Sequence, residues 1–310
     1  MMRRKSVGIL LAGVVLCISA SPVLAGLVML NDGQVHDIHS ATNDDIRVDY
    51  KSPGTGTTVN ILEAGVIGTL VGYEDSTINI LGGSIHSLTT YGRSQVAVSG
   101  GLITYRIRAY ENSQVDFSGG LTYNNLDAYG SSQVNVSGGS MVQLWARDNS
   151  QVAVSGGSMS EFLSTKDSSQ VNVSGGSMSG LWAYDSSQVS VSGGSITNLG
   201  AWDTSQVNIS GGLIGRKLTI SENAVLTIDG SDFAVDGTPV GYIEFSNILG
   251  GDYWTEPYRR LTGTLLSGEP INNDFQIGYS AKMVLVPEPA TLLLLGTGGL
   301  MLRRRGHEVF

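Results

Sequence analysis

Gln133-Val134-Asn135-Val136-Ser137-Gly138-Gly139-Ser140-Met141 recurs along the chain, and its reading decides the fold. It returns almost unchanged at Gln170 to Met178 and as Gln188 to Ile196, with looser copies from Gln95, Gln114, Gln151 and Gln206. The first glycine of each Gly-Gly pair falls at Gly82, Gly100, Gly119, Gly138, Gly156, Gly175, Gly193 and Gly211, in steps of 18 or 19 residues. A fixed short period of this kind marks a stacked repeat, in which each unit covers the core of the next.

Within one unit, Val134 and Val136 alternate with Asn135, the period of a strand with one buried face. Gly138-Gly139 interrupts it where the backbone turns or passes close to a neighbour. Met141 is the next apolar residue. Leu144 and Ala146 then alternate with Trp145 and Arg147 as a second strand-like run. Asp148-Asn149-Ser150 closes the unit with side chains that bond their own backbone in turns. The apolar columns hold from unit to unit. One reads Leu88, Ile107, Leu126, Leu144, Leu163, Leu181, Leu199. A second reads Thr90, Ala109, Ala128, Ala146, Thr165, Ala183, Ala201. A third reads Ile85, Ile103, Leu121-Thr122 (slipped), Met141, Met159, Met178, Ile196.

Columns of this kind predict an all-β fold: a parallel β-solenoid, or β-helix, with three short sides and a right-handed coil. A lone coil buries too little to offset the entropy of ordering its own backbone, so only the stack is stable. Glycine pairs and Val-x-Val alternation both oppose a helix. Upstream, Ala64-Gly65 precedes Ile67 and Leu70 at the methionine and leucine offsets. Asp32-Gly33 precedes Val35 and Ile38 in the same way. Leu27 to Ser40 therefore reads as the first coil, and residues 41–57, with Ser52-Pro53-Gly54-Thr55-Gly56, read as an inserted loop. Downstream, Leu226 to Phe233 reads as a degenerate last coil. The solenoid spans 26–237 in about eleven coils, a rod of roughly 50 Å at the spacing of β-strands. Residues 238–286 hold strand-like stretches (Tyr242 to Phe245, Leu261 to Leu265, Met283 to Val286). They are expected to form a β-rich cap, because open solenoid ends expose unpaired edges.

The 310 residues include 42 glycines, but at fixed places in the repeat, unlike a flexible linker. Charged residues make up 15%, the net charge is −9 and the isoelectric point is about 4.8, which disfavours nucleic acid and anionic lipid as partners. The single cysteine, Cys17, lies in Met1 to Ala25, which has the three parts of a signal peptide in order. Arg3, Arg4 and Lys5 form a basic start, Val7 to Ile18 an apolar run, and Val23-Leu24-Ala25 a cleavage site for signal peptidase. A mature chain without cysteine has neither disulfides nor thiol chemistry.

At the other end, Pro287-Glu288-Pro289 precedes an apolar run, Ala290 to Leu302, and then Arg303-Arg304-Arg305. The run is short for a spanning helix, and the arginines would stay on the cytoplasmic side. A permanent anchor is one reading of it. The tripartite order over residues 287–305 also resembles the PEP-CTERM sorting signal of Gram-negative bacteria. That resemblance implies a substrate of an exosortase, a membrane enzyme that cuts near the Pro-Glu-Pro motif. It also implies a C-terminal hydrophobic helix that engages the inner membrane transiently. Such proteins are exported to the cell surface or extracellular matrix, often in exopolysaccharide producers.

Chemistry has to be sought on the outward columns. One carries Tyr91, Tyr110, Tyr129, Arg147, Lys166, Tyr184 and Trp202; beside it stand Arg108, Asp127, Trp145, Ser164 and Trp182. The aromatics Tyr91, Tyr110, Tyr129, Trp145, Trp182, Tyr184 and Trp202 read either as a glycan-contact strip or as a ladder of rings that stabilises neighbouring strands. An acidic column, Glu111, Asp148, Asp167, Asp185 and Asp203, reads as turn chemistry, with calcium between coils as the competing reading. The Gln and Asn columns read as structural amide ladders. His36 and His39 near Asp32, Asp37, Asp44 and Asp45 have weak spacing for a metal site, and none is assigned. No nucleophile–His–Asp set or phosphate loop is present, and no cofactor is implied. Arg93, Arg106, Arg108, Arg147 and Lys166 are spread over several coils. The sequence therefore predicts a non-enzymatic, exported structural or adhesive protein associated with exopolysaccharide. A carbohydrate-active β-helix enzyme, a lyase or hydrolase, is the alternative.

Overall fold

The structure, a computed structural model, describes residues 26–241, 244–245, 258–278 and 280–287. Residues 1–25, read from the sequence as a signal peptide, and residues 288–310 with Glu288, Pro289, the apolar run and the arginine triplet, lie outside the described residues. The chain winds into a parallel β-solenoid of about eleven turns, with no helix among the described residues.

Three sides repeat. The first stacks the Gln-Val-Asn-Val strands, with Gln133–Val136 between Gln114–Phe117 and Gln151–Val154 and like residues over like. The second is shorter, pairing Ser140 with Ser158 and Met141 with Met159. The third stacks Asn125–Ala128 on Gln143–Ala146, Leu126 over Leu144 and Ala128 over Ala146. Leu126, Leu144, Leu163 and Leu181 are all 0% exposed, so the leucine column is the core of the third side. Thr122, fully buried, pairs with Ile103 and holds the methionine column in register without a slip. Rungs are joined through their peptide groups, as in Gln151 N–H to Ser132 O at 2.9 Å and Gln170 N–H to Ser150 O at 2.9 Å.

Each corner has its own chemistry. Between the first and second sides the two glycines do different jobs. A Cβ on Gly175 would sit 2.1 Å from Ser155 O of the preceding coil, and Gly176 has φ +81°. The first glycine permits close approach and the second a left-handed turn. Between the third and first sides the chain turns through a left-handed residue, Asp148, Asp167, Asp185 or Asp203 at φ 56–58°. Gly92 and Gly130 fill this place in two coils. A fully buried serine closes the turn: Ser169 Oγ donates to Lys166 O at 2.7 Å and Ser187 Oγ to Tyr184 O at 2.7 Å.

The corner between the second and third sides explains the wavering period. Ile85 pairs with Ile103 but Ser87 pairs with Arg106, so the coil at 103 carries one extra residue. The same bulge separates Met159 from Phe162 against the next coil, and follows Ile196 against its neighbour. From the coil of Thr77 onward, repeats with the extra residue at this corner are 19 long and the others 18, and the first and third sides keep their registers through the change.

The first coil differs from its sequence reading. Val35–Ile38 lies beside Thr58–Ile61 on the first side, not at the methionine and leucine positions. Residues 41–57 are not a loop. Asp45–Val48 is a third-side strand between Leu27–Leu30 and Val66–Gly72. Ile46 and Val48 alternate with Asp45 and Arg47 and are 1% and 0% exposed, which is what draws the segment into the stack. The insertion is confined to the turn. From Val48 to Thr58 is ten positions, against five from the paired Gly72 to the paired Thr77.

At the far end, residues 238–286 do more than cover an edge. After Val225–Val235 the chain returns as Arg259–Leu265, antiparallel to it, and hairpins into Pro270–Ile277. That strand then pairs parallel with the third side, Leu218 with Phe275 and Ile220 with Ile277. Lys282–Pro287 extends the first side, Leu226 with Met283 and Ile228 with Leu285. The last rung is thus a coil entered by a detour, and the antiparallel Glu244–Phe245 lines its outer edge.

Gly175→Ala is expected to lower stability by about 3 kcal/mol, because the obstacle is backbone of the preceding coil. Gly215→Ala, whose Cβ would meet its nearest atoms at 3.4–3.7 Å, is expected to change stability by less than about 0.5 kcal/mol. Urea unfolding of the two variants checks the contrast; equal losses would refute the close-approach account.

Candidate functional site

The first side presents a monotonous polar surface of Gln, Asn, Ser and Ala. Asn79 Nδ2 donates to Asn60 Oδ1 at 2.8 Å, Asn60 Nδ2 to Asp37 Oδ1 at 2.7 Å and Asn135 Nδ2 to Asp116 Oδ1 at 2.7 Å. These are short ladders of amides and carboxylates, interrupted where Ala97 and Ala153 stand in the column. Varied chemistry is concentrated on the third side and its two corners.

The aromatic column there is a pile of rings in two runs, with Arg147 and Lys166 between them. Tyr73 and Tyr91 stack at 5.3 Å, Tyr91 and Tyr110 at 5.0 Å, and Tyr110 and Tyr129 at 4.8 Å, all within 12° of parallel. Tyr50 meets Tyr73 edge-on at 4.9 Å. Arg147 lies over Tyr129 and Trp145 at 5.5 and 4.8 Å, and Lys166 over Tyr184 at 5.0 Å. Tyr184 and Trp202 stack at 4.9 Å. Trp182 and Trp202 are tilted against each other at 5.8 Å. Gly180 and Gly200 leave the space these indoles fill, since a Cβ at either would fall 2.6 or 2.1 Å from the ring. The structure thus gathers Tyr91, Tyr110 and Tyr129 in one run, and Trp182, Tyr184 and Trp202 in another. Trp145 stands one column away, edge-on to Phe162 at 5.3 Å. Tyr91 and Tyr110 each stack on two neighbouring rings. Sequence reasoning missed Tyr50 and Tyr73, which follow Asp49 and Gly72 in coils whose spacing the long first turn obscures.

The acidic column makes a second ladder. Asp148 N–H donates to Asp167 Oδ2 at 3.0 Å, Asp167 N–H to Asp185 Oδ2 at 3.1 Å, and Asp185 N–H to Asp203 Oδ2 at 2.9 Å. Asp203 N–H donates to Glu222 Oε2 at 2.7 Å, and Gly130 N–H to Asp148 Oδ2 at 2.8 Å. Each carboxylate therefore holds the turn of the coil before it, a charge-assisted bond to backbone. Among the described residues no group of three His, Cys, Asp or Glu is arranged to hold a metal ion. His36 Nε2 pairs with Asp32 Oδ1 at 2.9 Å, and that hydrogen bond holds the Asp32 carboxyl below its usual range.

One acid on the third side behaves differently. Asp127 pairs in register between Arg108 and Trp145 and is 3% exposed, although its column faces outward. Burial pushes its carboxyl above the usual carboxylate range, against the pull of Arg147, Arg106 and Arg108 and hydrogen bonding from Asn125. Burial likewise raises the Tyr129 hydroxyl, with the Asp127 charge adding to it. Arg106 and Arg108 share one coil, and Arg147 reaches back from two coils further on, so cations dispersed in the sequence converge on one carboxyl. Arg93 is not among them; it pairs with Asp75 at 2.7 Å. The Nε–H groups of Arg106 and Arg147 are shielded from solvent and meet no hydrogen-bond acceptor.

The bulged corner adds side chains that the repeat does not forecast. Tyr105 and Tyr123 stand on adjacent rungs there, 37% and 60% exposed. Tyr105 stacks on His86 at 5.5 Å and carries the Arg106 guanidinium 4.1 Å over its ring. No protein family, curated protein or solved structure matches the chain.

The raised carboxyl fixes the sign of a pH effect. Its folded-state pKa lies above the unfolded value, so the ionised Asp127 costs the fold stability at neutral pH, and the cost is gone below the ordinary carboxylate range near ~4. Asp127→Asn is therefore expected to melt higher than the wild type at pH 7, with the gap closing as pH falls to that range. Thermal scans across pH read this directly; an Asn variant that melts lower at pH 7 would contradict it.

Proposed function

We propose that the chain is an exported, non-enzymatic structural or adhesive protein of the bacterial surface or extracellular matrix, associated with exopolysaccharide and sorted by a PEP-CTERM signal. The observation that carries this reading is the position of the last described strand on the first side. Lys282–Pro287, the strand that completes the first side, ends on the first residue of the Pro-Glu-Pro triad. A cut near that triad would release a finished fold and leave the apolar run and arginines behind. In this reading signal peptidase removes residues 1–25. An exosortase-type enzyme acts at Pro287, Glu288 and Pro289 while the C-terminal helix and Arg303, Arg304 and Arg305 hold the chain at the inner membrane. The right-handed winding belongs to the same proposal. A rod whose every rung repeats the same packing, with varied residues confined to one side, suits a stiff spacer with a lateral contact surface. The ring pile serves its stiffness, and its edges border the contact surface.

One observation favours the second reading, a carbohydrate-active enzyme. A shielded carboxyl with a raised pKa beside arginines is the kind of group that acid–base chemistry uses.

Deleting residues 288–310 leaves the last strand whole and is expected to keep the protein from the surface and matrix fractions, with accumulation inside the envelope. An unchanged distribution on immunoblots of fractionated cells would remove the sorting proposal. Incubation with polyuronates and neutral glycans is expected to yield no new reducing or unsaturated ends; their appearance, and their loss in Asp127→Asn, would establish the enzyme reading instead.

A further inference from the structure

The chain carries a net charge of −9, yet on one patch of its third side Arg108 is in register with Asp127, Arg106 stands two residues before Arg108, and Arg147 lies over Tyr129 and over Trp145, the residue in register with Asp127 on the next rung. That local surplus of positive charge is the reverse of the molecule's overall balance, and an anion is what it attracts. Two of the guanidiniums keep a shielded Nε–H with no acceptor, a state that folded proteins seldom leave unfilled. Asp127 lies out of solvent at the centre, and the register of Arg108 on Asp127 fixes its place on the rod.

The bulge sets the rim of the patch. The extra residue at this corner adds side chains without disturbing the strands on either side, as bulges beside binding sites do. Tyr105 holds Arg106 in place, its ring covered by His86 and the guanidinium. Tyr123 stands on the next rung, its N–H bonded to Ile103 O at 3.1 Å, and among the described residues is the most exposed of the large hydrophobic side chains. Unlike the stacked tyrosines of the ladder, it offers an open ring to solvent, four residues before Asp127. A free aromatic face suits the apolar face of a pyranose. Arginines suit a carboxylate, which they bind through paired N–H donors.

Resting on the exopolysaccharide association proposed above, we propose that Arg106, Arg108 and Arg147, with Asp127 and Tyr123, form a binding site for the uronate residues of a carboxylated polysaccharide. The guanidiniums take the sugar carboxylate and Tyr123 stacks on a neighbouring sugar, while Asp127, shielded from solvent, is the charge beside which the guanidiniums are held. The site sits on the side of the rod, so a long polymer can pass across it and does not need to enter a cleft.

Electrophoresis of the full chain through gels containing polygalacturonate, its methyl ester or dextran tests this. Retardation by polygalacturonate alone is expected. The double variant Arg106→Gln/Arg108→Gln is expected to bind about tenfold more weakly or worse, the loss of charge-assisted bonds to one carboxylate. Tyr123→Ala, which alters one exposed side chain and leaves the core alone, is expected to weaken binding as well. Lys51→Gln removes a charge from a distant turn and is expected to leave binding unchanged. Equal retardation by the ester or by dextran overturns the uronate site while leaving an adhesive role standing. No retardation by any polymer, or wild-type binding by Tyr123→Ala and by the folded double variant, also overturns it. The distribution of the protein among cell fractions does not depend on the polymer, so failure here and failure of the sorting proposal are told apart.

Discussion

Peptide groups on one rung hydrogen-bond to those on the rungs above and below, and every other feature of the molecule has to leave that ladder intact. No rung satisfies its own backbone, so the fold exists only as a stack. Two requirements follow. Each rung must present its donors and acceptors at the same places as its neighbours. Each corner must be crossed without lifting the strands apart. The first is met by repeated Val-x-Val and Leu-x-Ala pairs. The second is met by three unlike devices, a glycine pair, an optional bulge and a left-handed acid.

The side chains that line the outside follow from the same constraint. Because like lies over like, a tyrosine on one rung stacks on the tyrosine of the next, and aspartates at one corner would face each other with like charge. The fold resolves this by giving each carboxylate a backbone N–H from the coil before it. The acidic column is thus bonding material for the turns, which accounts for its regularity. Asp127 has no such partner in the repeat. It stands in register between an arginine on one rung and a tryptophan on the next, and is shielded from solvent there.

Strand columns could be read from the sequence because alternation and the glycine period are local. Leu126, Leu144, Leu163 and Leu181 lie in the core where that alternation put them. Asp45–Val48 escaped the reading because the longer turn after it breaks the spacing, although Ile46 and Val48 show the same alternation as any other strand. The final rung escaped for a different reason. Asp274-Phe275-Gln276-Ile277 carries no glycine pair and reaches the stack by way of a hairpin. The outer patch was the least readable part. Its arginines, seen in the sequence as scattered, meet only when rungs two coils apart are superposed. Tyr105 and Tyr123 sit at the bulged corner, whose length changes from coil to coil.

The optional residue at the bulged corner has a consequence for how such a chain can change. Strands on both flanks keep their partners whether the corner holds it or not, so a codon gained or lost at this one place alters the surface and spares the framework. The corner behaves as a cassette, repeated once per turn, in which new side chains can be tried on successive turns. Descendants of one ancestral repeat can in this way share a scaffold and still diverge in what their flanks recognise.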